Sequence, residues 1–424
     1  MKALLSFIIT CMLCSSLQAQ NYAIVGATVH TMGPKGTLEN ATVLIQNDKI
    51  QAVLTGDADL QAYKVIDAKG KVITPGLIGA HTSLGLVEVS SSAGTVDSEV
   101  SPVNFSTVGA AADVSFGINP DSSLMNISRI AGVTSAASSV THSSQLFSGQ
   151  GAMITLGDKT QPIIKPRAFM GVNMSNSGAD NIGGSRALLW VALEQAISET
   201  EFFGPKGLSP AQQWHGELAR ADLQALWPVV NGDIPLIIDA RRAADIRQVI
   251  AFKQRHPKLH IVLLQATEGW RVADELAAND IAVILNPESN LPYAFDQLGA
   301  TMANAARLDK AGVMVAIGME SHNIRLAKQH AGNAVANGLA WSQGLAALTI
   351  NPAIIYKIDT LVGSLEADKQ ADLVIWSGDP LEVTQTAEQV FIKGQLLDMQ
   401  SRQTKLRDRY LDLQQDRPMN YVRP

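Results

Sequence analysis

The sequence is poor in cysteine, in aromatic residues and in charged residues. Its 424 residues include 2 cysteines, 5% aromatic residues and 17% charged residues, and 39 acidic against 33 basic side chains give a formal net charge of −6. Nucleic-acid binding would require clustered lysine and arginine, or aromatic platforms on which bases stack, and the sequence offers neither. The hydrophobic content of 46% is typical of a globular chain. We therefore expect a globular protein without a nucleic-acid partner.

The first 19 residues have the pattern of a secretory signal peptide. Lys2 gives a positive start, residues 3–13 are mostly apolar, and a short polar run ends at the small residue Ala19. The apolar stretch is shorter than the roughly 20 residues that span a bilayer. A lipoprotein signal is an alternative, although the residues before Cys14 are not the small ones that such a signal needs. We expect cleavage after Ala19 and an exported product, periplasmic or extracellular, with no membrane association.

Cleavage at that point leaves a chain without cysteine. Both cysteines, Cys11 and Cys14, lie in the removed segment together with Lys2, so the remaining net charge is 32 − 39 = −7. A chain of this kind has no disulfide, no cysteine nucleophile and no thiolate metal ligand. Its stability must therefore come from its packed core.

The hydrophobic pattern predicts an α/β centre flanked by β-rich ends. Residues 20–74 contain short β-branched runs separated by Gly, Asn and Asp, which is typical of strands. Residues 75–355 contain short apolar runs that alternate with helical stretches, as in βαβ units of a parallel sheet. Strand character returns in residues 356–400, and residues 401–424 form a charged tail with a short predicted helix. The simplest architecture is a central barrel beside a small β-unit made from both chain ends.

Polar residues follow several predicted barrel strands at the point where each strand ends. In a barrel of parallel strands, the carboxyl ends meet at the face that carries the active site. The residues in question are His81, Asp239, Gln265 and Glu320, with His322 just beyond, whereas His142 is reached only through a loop. Each also has a structural alternative, because polar residues at strand ends often serve as caps. Two stretches rich in Ser, Gly and Asn, 88–108 and 135–150, are predicted to be long loops beside this face.

Four segments resemble the amidohydrolase superfamily, nearest to its imidazolonepropionase-like branch. The first-strand signature is similar to VIDAKGKVITPGLIGAHTSLGL, and the closing segment of the branch resembles LTINPAIIYKIDTLVGSLEADKQADLVIWSGDP. The fifth- and sixth-strand segments resemble PLIIDARRAADI and HIVLLQATEGWRVADELA. The resemblance extends from about residue 22 to 395. It implies a distorted (β/α)8 TIM barrel plus a small β-sandwich formed by both chain ends.

The resemblance also implies a chemistry. Members of the superfamily hydrolyse amides, lactams and related C–N bonds with one or two divalent metals, which activate a bound water and polarise the carbonyl. An Asp on the last strand shuttles protons. The metals require imidazole and carboxylate ligands in a fixed geometry.

This sequence departs from the family pattern at nearly every ligand position. The first-strand His-x-His is matched by His81-Thr82-Ser83, the fifth-strand His by Asp239 and the sixth-strand His by Gln265. The last-strand Asp is matched by Met319 or by Glu320, of which Glu320 keeps the carboxylate, and the fourth-strand segment has no clear counterpart of the bridging Lys or Glu. The resemblance leaves His81, Asp239 and Glu320 as metal ligands, with His142 or His322 as helpers. It implies one divalent metal (Mn, Zn or Fe), or none.

Three hypotheses about function follow. The first is a C–N hydrolase with a reduced or altered metal site, in which Glu320 shuttles protons. The second is an inactive pseudo-amidohydrolase that binds a small ligand at the barrel mouth. The third is a metal-free hydrolase in which Glu320 or Asp239 acts directly on water. The substrate-binding residues are expected to be Arg242, Gln265, Glu268 and His322, although Arg242 with Asp239 or Glu268 would also make a closed ion-pair network. The expected partner is a small-molecule ligand or substrate, and a homo-oligomer is left open.

Overall fold

The structure of the protein is a computed structural model that describes residues 20–88, 96–205, 213–319 and 323–411. The predicted signal peptide, residues 1–19, lies outside the described residues. So do Glu320 and His322, so their predicted roles stay predictions. Among the described residues, no helix is both long enough and apolar enough to cross a bilayer.

Both chain ends contribute to one eight-stranded sheet. Its central pairing joins the two ends, because Val72–Pro75 runs antiparallel to Leu373–Trp376. The predicted β-unit from both termini is therefore present as this terminal sheet, while the second layer of a sandwich stays a prediction. Its strands are β1 (Tyr22–His30), β2 (Thr37–Gln46), β3 (Lys49–Thr55), β4 (Lys64–Asp67), β5 (Val72–Pro75), β16 (Leu373–Trp376), β17 (Ala387–Ile392) and β18 (Gln395–Leu396).

A second eight-stranded sheet forms the barrel and confirms the predicted α/β barrel. From one edge to the other the strands are β15, β14, β13, β12, β11, β10, β8 and β6, and the two edges come together where the His81 amide donates to the Gly318 carbonyl at 3.1 Å. The barrel is thus nearly closed. Its strands are β6 (Leu77–Thr82), β8 (Val133–Ser138), β10 (Phe147–Thr155), β11 (Ile163–Asn173), β12 (Leu236–Ala240), β13 (Ile261–Gln265), β14 (Ala282–Ile284) and β15 (Val315–Ala316).

Helices and short turns of helix connect the barrel strands, as a βαβ pattern requires. A further two-stranded ladder, β7 (Glu99–Val100) with β9 (His142–Ser143), lies on the loops. The α-helices are α1 (Ser123–Arg129), α2 (Asn176–Asn181), α3 (Arg186–Phe203), α4 (Arg220–Val230), α5 (Ala243–Arg255), α6 (Ala273–Ala278), α7 (Asn304–Lys310), α8 (Ala327–Ala336), α9 (Trp341–Ala346), α10 (Ile350–Ile355) and α11 (Arg402–Leu411). Short 3-10 helices cover Val114–Phe116, Gly269–Val272, Phe295–Gln297 and Ile324–Leu326.

The stretch 135–150 was expected to be a loop, and this prediction is wrong. It contains most of β8, all of β9 and the start of β10, and β10 runs antiparallel to both of its neighbours. The small side chains that suggested a loop are packing against the core: β8 is buried at every position. A Cβ on Gly151 would come within 2.0 Å of the Phe169 ring, so the glycine leaves room for that ring inside the barrel.

Apolar side chains fill the barrel interior and the junction with the terminal sheet. Ile78, Phe169, Ile237, Val262 and Ile284 come from different strands and share one interior cluster. Trp376 of the terminal sheet is fully buried in the cluster that surrounds the barrel. Its indole nitrogen donates to the Thr74 hydroxyl at 2.9 Å. These contacts fix the barrel and leave its carboxyl-end face open for a site.

Candidate ligand site at the barrel mouth

The carboxyl ends of β11 and β12 open into a polar pocket of ≈ 490 Å³, which we call the mouth pocket. Asn173 ends β11 and lies in register with Asp239 of β12, so both side chains reach the same edge of the sheet. The ladder of β7 and β9 forms another wall. The mouth pocket is lined by Glu99, Val100, Ser101, Thr141, His142, Ser143, Ser144, Asn173, Ser177, Asn181, Asp239 and Arg241.

A bidentate ion pair occupies the floor of the mouth pocket. Arg241 donates from Nε to Oδ1 of Asp239 at 3.1 Å and from Nη2 to Oδ2 at 3.0 Å. Burial raises the pKa of Asp239, and the hydrogen bonds from Arg241 counteract that rise. Conversely, burial disfavours the charged guanidinium, but the bonds to Asp239 raise the pKa of Arg241 above its ordinary value. The fifth-strand carboxylate is therefore neutralised by a guanidinium.

A second ion-pair network lies behind the mouth pocket. Arg242 donates to both oxygens of the buried Asp245, at 2.8 and 2.7 Å, and Arg186 reaches the same carboxylate at 3.2 Å. The expected pairing of Arg242 with Asp239 or Glu268 is thus wrong, because its partner is one helical turn further along α5. Arg186 also lies 4.0 Å from Asp296, whose Oδ1 is buried without a hydrogen-bond partner among the described residues.

Glu268, a predicted substrate-binding residue, is buried and engaged on both oxygens. One oxygen accepts from the Ala243 amide at the start of α5 at 3.0 Å, and the other accepts from the Gly299 amide at 2.9 Å. Arg271 lies 3.7 Å from the same carboxylate. Glu268 therefore ties a helix start to a loop, and its contact with a ligand stays a prediction.

Gln265, the residue at the sixth-strand ligand position, ends β13 in an unusual backbone conformation. Its φ is +69°, and the next residue, Ala266, has a φ of +40°. Two consecutive non-glycine residues in the left-handed region cost on the order of 1–3 kcal/mol each and persist only where the surroundings hold them. Asn304 supplies such a hold, because its side-chain amide donates to the Ala266 carbonyl at 2.9 Å.

His81 is the last but one residue of β6, on the opposite side of the barrel from Asp239. Its ring faces the interior, with its centroid 6.2 Å from that of Phe169. Burial lowers the pKa of His81 to about 4, so the imidazole is neutral at pH 7. Three strands lie between β6 and β12 in either direction around the barrel. His81 is not part of the mouth pocket lining.

Several residues of this face were not predicted from the sequence. Arg241 and Asn173 obey the strand-end rule that selected Asp239, so the same signal could have found them. Asp222 could not have been found in this way. It is fully buried on α4, and its oxygens accept from the Ser106 hydroxyl at 2.6 Å and from the Thr107 and Ala111 amides at 2.7 and 2.9 Å. This carboxylate holds the long loop that follows β7.

Comparisons with known proteins agree with this fold. A sequence model of the amidohydrolase family matches residues 253–397. An imidazolonepropionase from Treponema denticola is 24% identical over 398 residues, covering 84% of this chain and 91% of that protein. Both similarities support the resemblance to the amidohydrolase superfamily, nearest to its imidazolonepropionase-like branch.

Other proteins are similar to this chain over a shorter segment or in fold. A 5-methylthioadenosine/S-adenosylhomocysteine deaminase from Bacillus anthracis is 41% identical over 61 residues, which is 14% of this chain and 14% of the deaminase's own length. An amidohydrolase from Thermotoga maritima has the same fold, with a TM-score of 0.77, 23% identity and coverage of 89% of this chain and 99% of that one. An adenosine deaminase from Xanthomonas campestris with bound zinc has a TM-score of 0.52 at 16% identity, with coverage of 92% and 98%.

The described residues do not fit the metal centre that the superfamily implies. Among them, no three His, Cys, Asp or Glu side chains lie close enough together to hold a metal ion. Asp239 already has both oxygens bonded to Arg241, and the ring of His81 lies beside the Phe169 ring. Glu320, the remaining member of the expected ligand set, lies outside the described residues.

Removing the Arg241 guanidinium should show how much this group contributes to the stability of the folded protein. We expect Arg241→Met to lower the free energy of unfolding by about 3–5 kcal/mol, because it leaves the Asp239 carboxylate buried and uncompensated. Arg247→Met is the matched control, since Arg247 pairs with Glu275 at 2.9 Å on the surface and such pairs contribute about 0–1 kcal/mol. Denaturant unfolding at pH 7 measures both. Equal losses in the two variants would contradict the role assigned to Arg241.

The lowered pKa of His81 predicts a pH dependence of stability. The unfolded chain has an ordinary histidine pKa of about 6.5, so between pH 6.5 and about 4 it binds more protons at this residue than the folded protein. The contribution of His81 to stability is therefore complete above pH 6.5 and is lost as the pH falls towards 4. His81→Gln should flatten the decline in unfolding free energy over this interval, whereas His215→Gln, at an exposed position, should keep the wild-type profile. Identical profiles for all three proteins would contradict this assignment.

Proposed function

We propose that this chain is an exported amidohydrolase-superfamily protein that binds a small polar molecule in the mouth pocket without metal-dependent hydrolysis. The observation that carries the proposal is the bidentate contact between Arg241 and Asp239 at the fifth-strand ligand position. A carboxylate at this depth requires a cation, and arginine supplies one that is permanently charged. A divalent metal would have to displace both hydrogen bonds to reach the same oxygens.

The lining of the mouth pocket supports a binding role. A site that had merely lost its function would be expected to fill with apolar side chains, because unpaired polar groups are costly to bury. Instead the pocket keeps donors and acceptors of several kinds, and its volume of ≈ 490 Å³ suits a small molecule. Asn173, His142 and Arg241 offer hydrogen-bond donors, and Glu99 offers an anionic acceptor. Such a lining favours a ligand with amide or carboxylate groups, such as a lactam or a short peptide.

A specific observation also supports a second candidate, a C–N hydrolase with an altered metal site. His81 is neutral at pH 7, so a ring nitrogen keeps a lone pair that can ligate a metal. The superfamily resemblance assigns proton transfer to Glu320, two positions beyond Gly318, whose carbonyl accepts from the His81 amide. In this candidate the metal would be held by His81 and Glu320, away from the Asp239–Arg241 pair.

The two candidates differ in the effect of Glu320→Gln. Lactams and dipeptides would be screened against the full chain by calorimetry, and turnover of every binder would be followed with and without added Mn²⁺ or Zn²⁺. We expect binding without turnover, and an affinity that Glu320→Gln leaves nearly unchanged. His142→Ala should weaken binding about 3- to 10-fold through the loss of one hydrogen bond, while His215→Ala, outside the mouth pocket, should not.

Metal-stimulated turnover that Glu320→Gln abolishes would overturn the binding role and establish the hydrolase. Failure of every lactam and dipeptide to bind would contradict the ligand class.

A further inference from the structure

A second pocket lies at the opposite end of the barrel from the mouth pocket. It has a volume of ≈ 360 Å³ and is formed where β13, β14 and β15 begin. His260, Asp280 and Lys357 give it polar walls, and Met314 and Ile354 give it apolar ones. We call it the basal pocket. Nothing in the proposed function of the mouth pocket uses these residues.

Three lysines at this end of the barrel are satisfied by main-chain carbonyls alone. Lys165 donates to the Tyr356 carbonyl at 2.9 Å, and Lys357 donates to the carbonyls of Gly232 and Asp233 at 2.9 and 3.0 Å. Lys253 donates to the carbonyls of Pro257 and Leu259. Among the described residues, none of the three forms an ion pair with a carboxylate. Each ammonium group has three N–H donors, so Lys165 and Lys357 keep unused ones.

The acidic groups nearby do not balance these charges. Asp280 is the acidic residue among the described pocket lining, and the Asp233 carboxylate accepts from the Asn231 amide group at 2.9 and 3.0 Å. Lys357 lines the pocket, and Lys165 and Lys253 lie near enough to His260 to act on its charge. These three lysines outnumber the two carboxylates, Asp280 and Asp233, in a chain whose overall net charge is −6. A positive field of this kind, concentrated at a concave surface, attracts anions.

His260 adds an unsatisfied polar atom to the same wall. Its Nδ1 is buried and has no hydrogen-bond partner among the described residues. Burial lowers the pKa of His260, and Lys357, Lys253 and Lys165 lower it further, while Asp280 raises it. Buried polar atoms normally have partners, so the hydrogen bonding of His260 is incomplete among the described residues.

We propose that the basal pocket binds the phosphate group of a small molecule. The unused N–H donors of Lys357 and Lys165, together with the His260 ring, would bind the phosphate oxygens, and Met314 and Ile354 would contact an apolar part of the ligand. A phosphate offers several acceptor oxygens and two charges, which matches several ammonium groups better than a single carboxylate does.

Calorimetry of the full chain with inorganic phosphate tests the proposal. We expect saturable binding at one site, weakened at least about tenfold by Lys357→Met, because a charge-assisted hydrogen bond is lost. Lys357→Arg should keep most of the affinity. The matched control is Lys35→Met. Lys35 is also exposed and donates to a main-chain carbonyl, that of Val53 at 2.7 Å, but it lies in the turn between β1 and β2 of the terminal sheet. Acetate, with one charge, should bind more weakly than phosphate.

The imidazole resonances of His260 provide a readout in the unmodified protein. Phosphate should raise the pKa of His260 during an NMR titration, because a bound anion favours the protonated ring. Absence of saturable binding, no change at His260, or equal weakening by Lys35→Met and Lys357→Met would overturn the proposal. The three lysines would then serve only to cap carbonyls at the base of the barrel.

Discussion

The contact between Arg241 and Asp239 sets the chemistry of the barrel mouth. A carboxylate buried at a strand end must be neutralised by a proton, a metal or a cationic side chain. The chemistry that the site can perform differs between these three cases. Here the guanidinium lies two residues from the carboxylate and binds both of its oxygens. The cation at the mouth pocket is therefore an arginine side chain of the protein itself. In the proposed binding role, recognition of a polar ligand would depend on fixed hydrogen-bonding groups and not on an exchangeable ion.

The rest of the fold holds this pair and its surroundings in place. The barrel closes through the contact of His81 with Gly318, and buried carboxylates tie the loops above it to the helices. Asp222 binds the loop after β7, and Glu268 binds the start of α5 to the Gly299 loop. These two carboxylates accept mostly main-chain amides, so they act as structural anchors. Asp222 and Glu268 thus differ from Asp239, whose partner is a guanidinium that lines the mouth pocket.

The sequence predicted the barrel strands well, but it did not predict which charged side chains pair with each other. Apolar runs such as residues 236–238 and 261–264 indicated strands, and their polar followers did lie at one end of the barrel. The antiparallel strand β10 was not predicted because its Gly and Ser residues are typical of a loop. In the structure one of them, Gly151, leaves room for the Phe169 ring. The Arg242–Asp245 pair depends on which residues share one face of α5. The hydrogen bonds of Asp222 join residues more than 100 positions apart in the sequence. Local sequence patterns predict neither kind of contact. Arg241 was overlooked although it follows Asp239 by two positions.

Metal content per chain tests the central claim most directly. The full chain would be purified without a His tag or chelator, dialysed against excess Mn²⁺ and Zn²⁺, and analysed by elemental mass spectrometry. If Arg241 takes the place of the metal, the bound metal should stay far below one equivalent, in the wild type as in Asp239→Ala. About one equivalent of metal, lost on both His81→Ala and Asp239→Ala, would contradict the account, because Asp239 would then be a metal ligand and not the partner of a guanidinium.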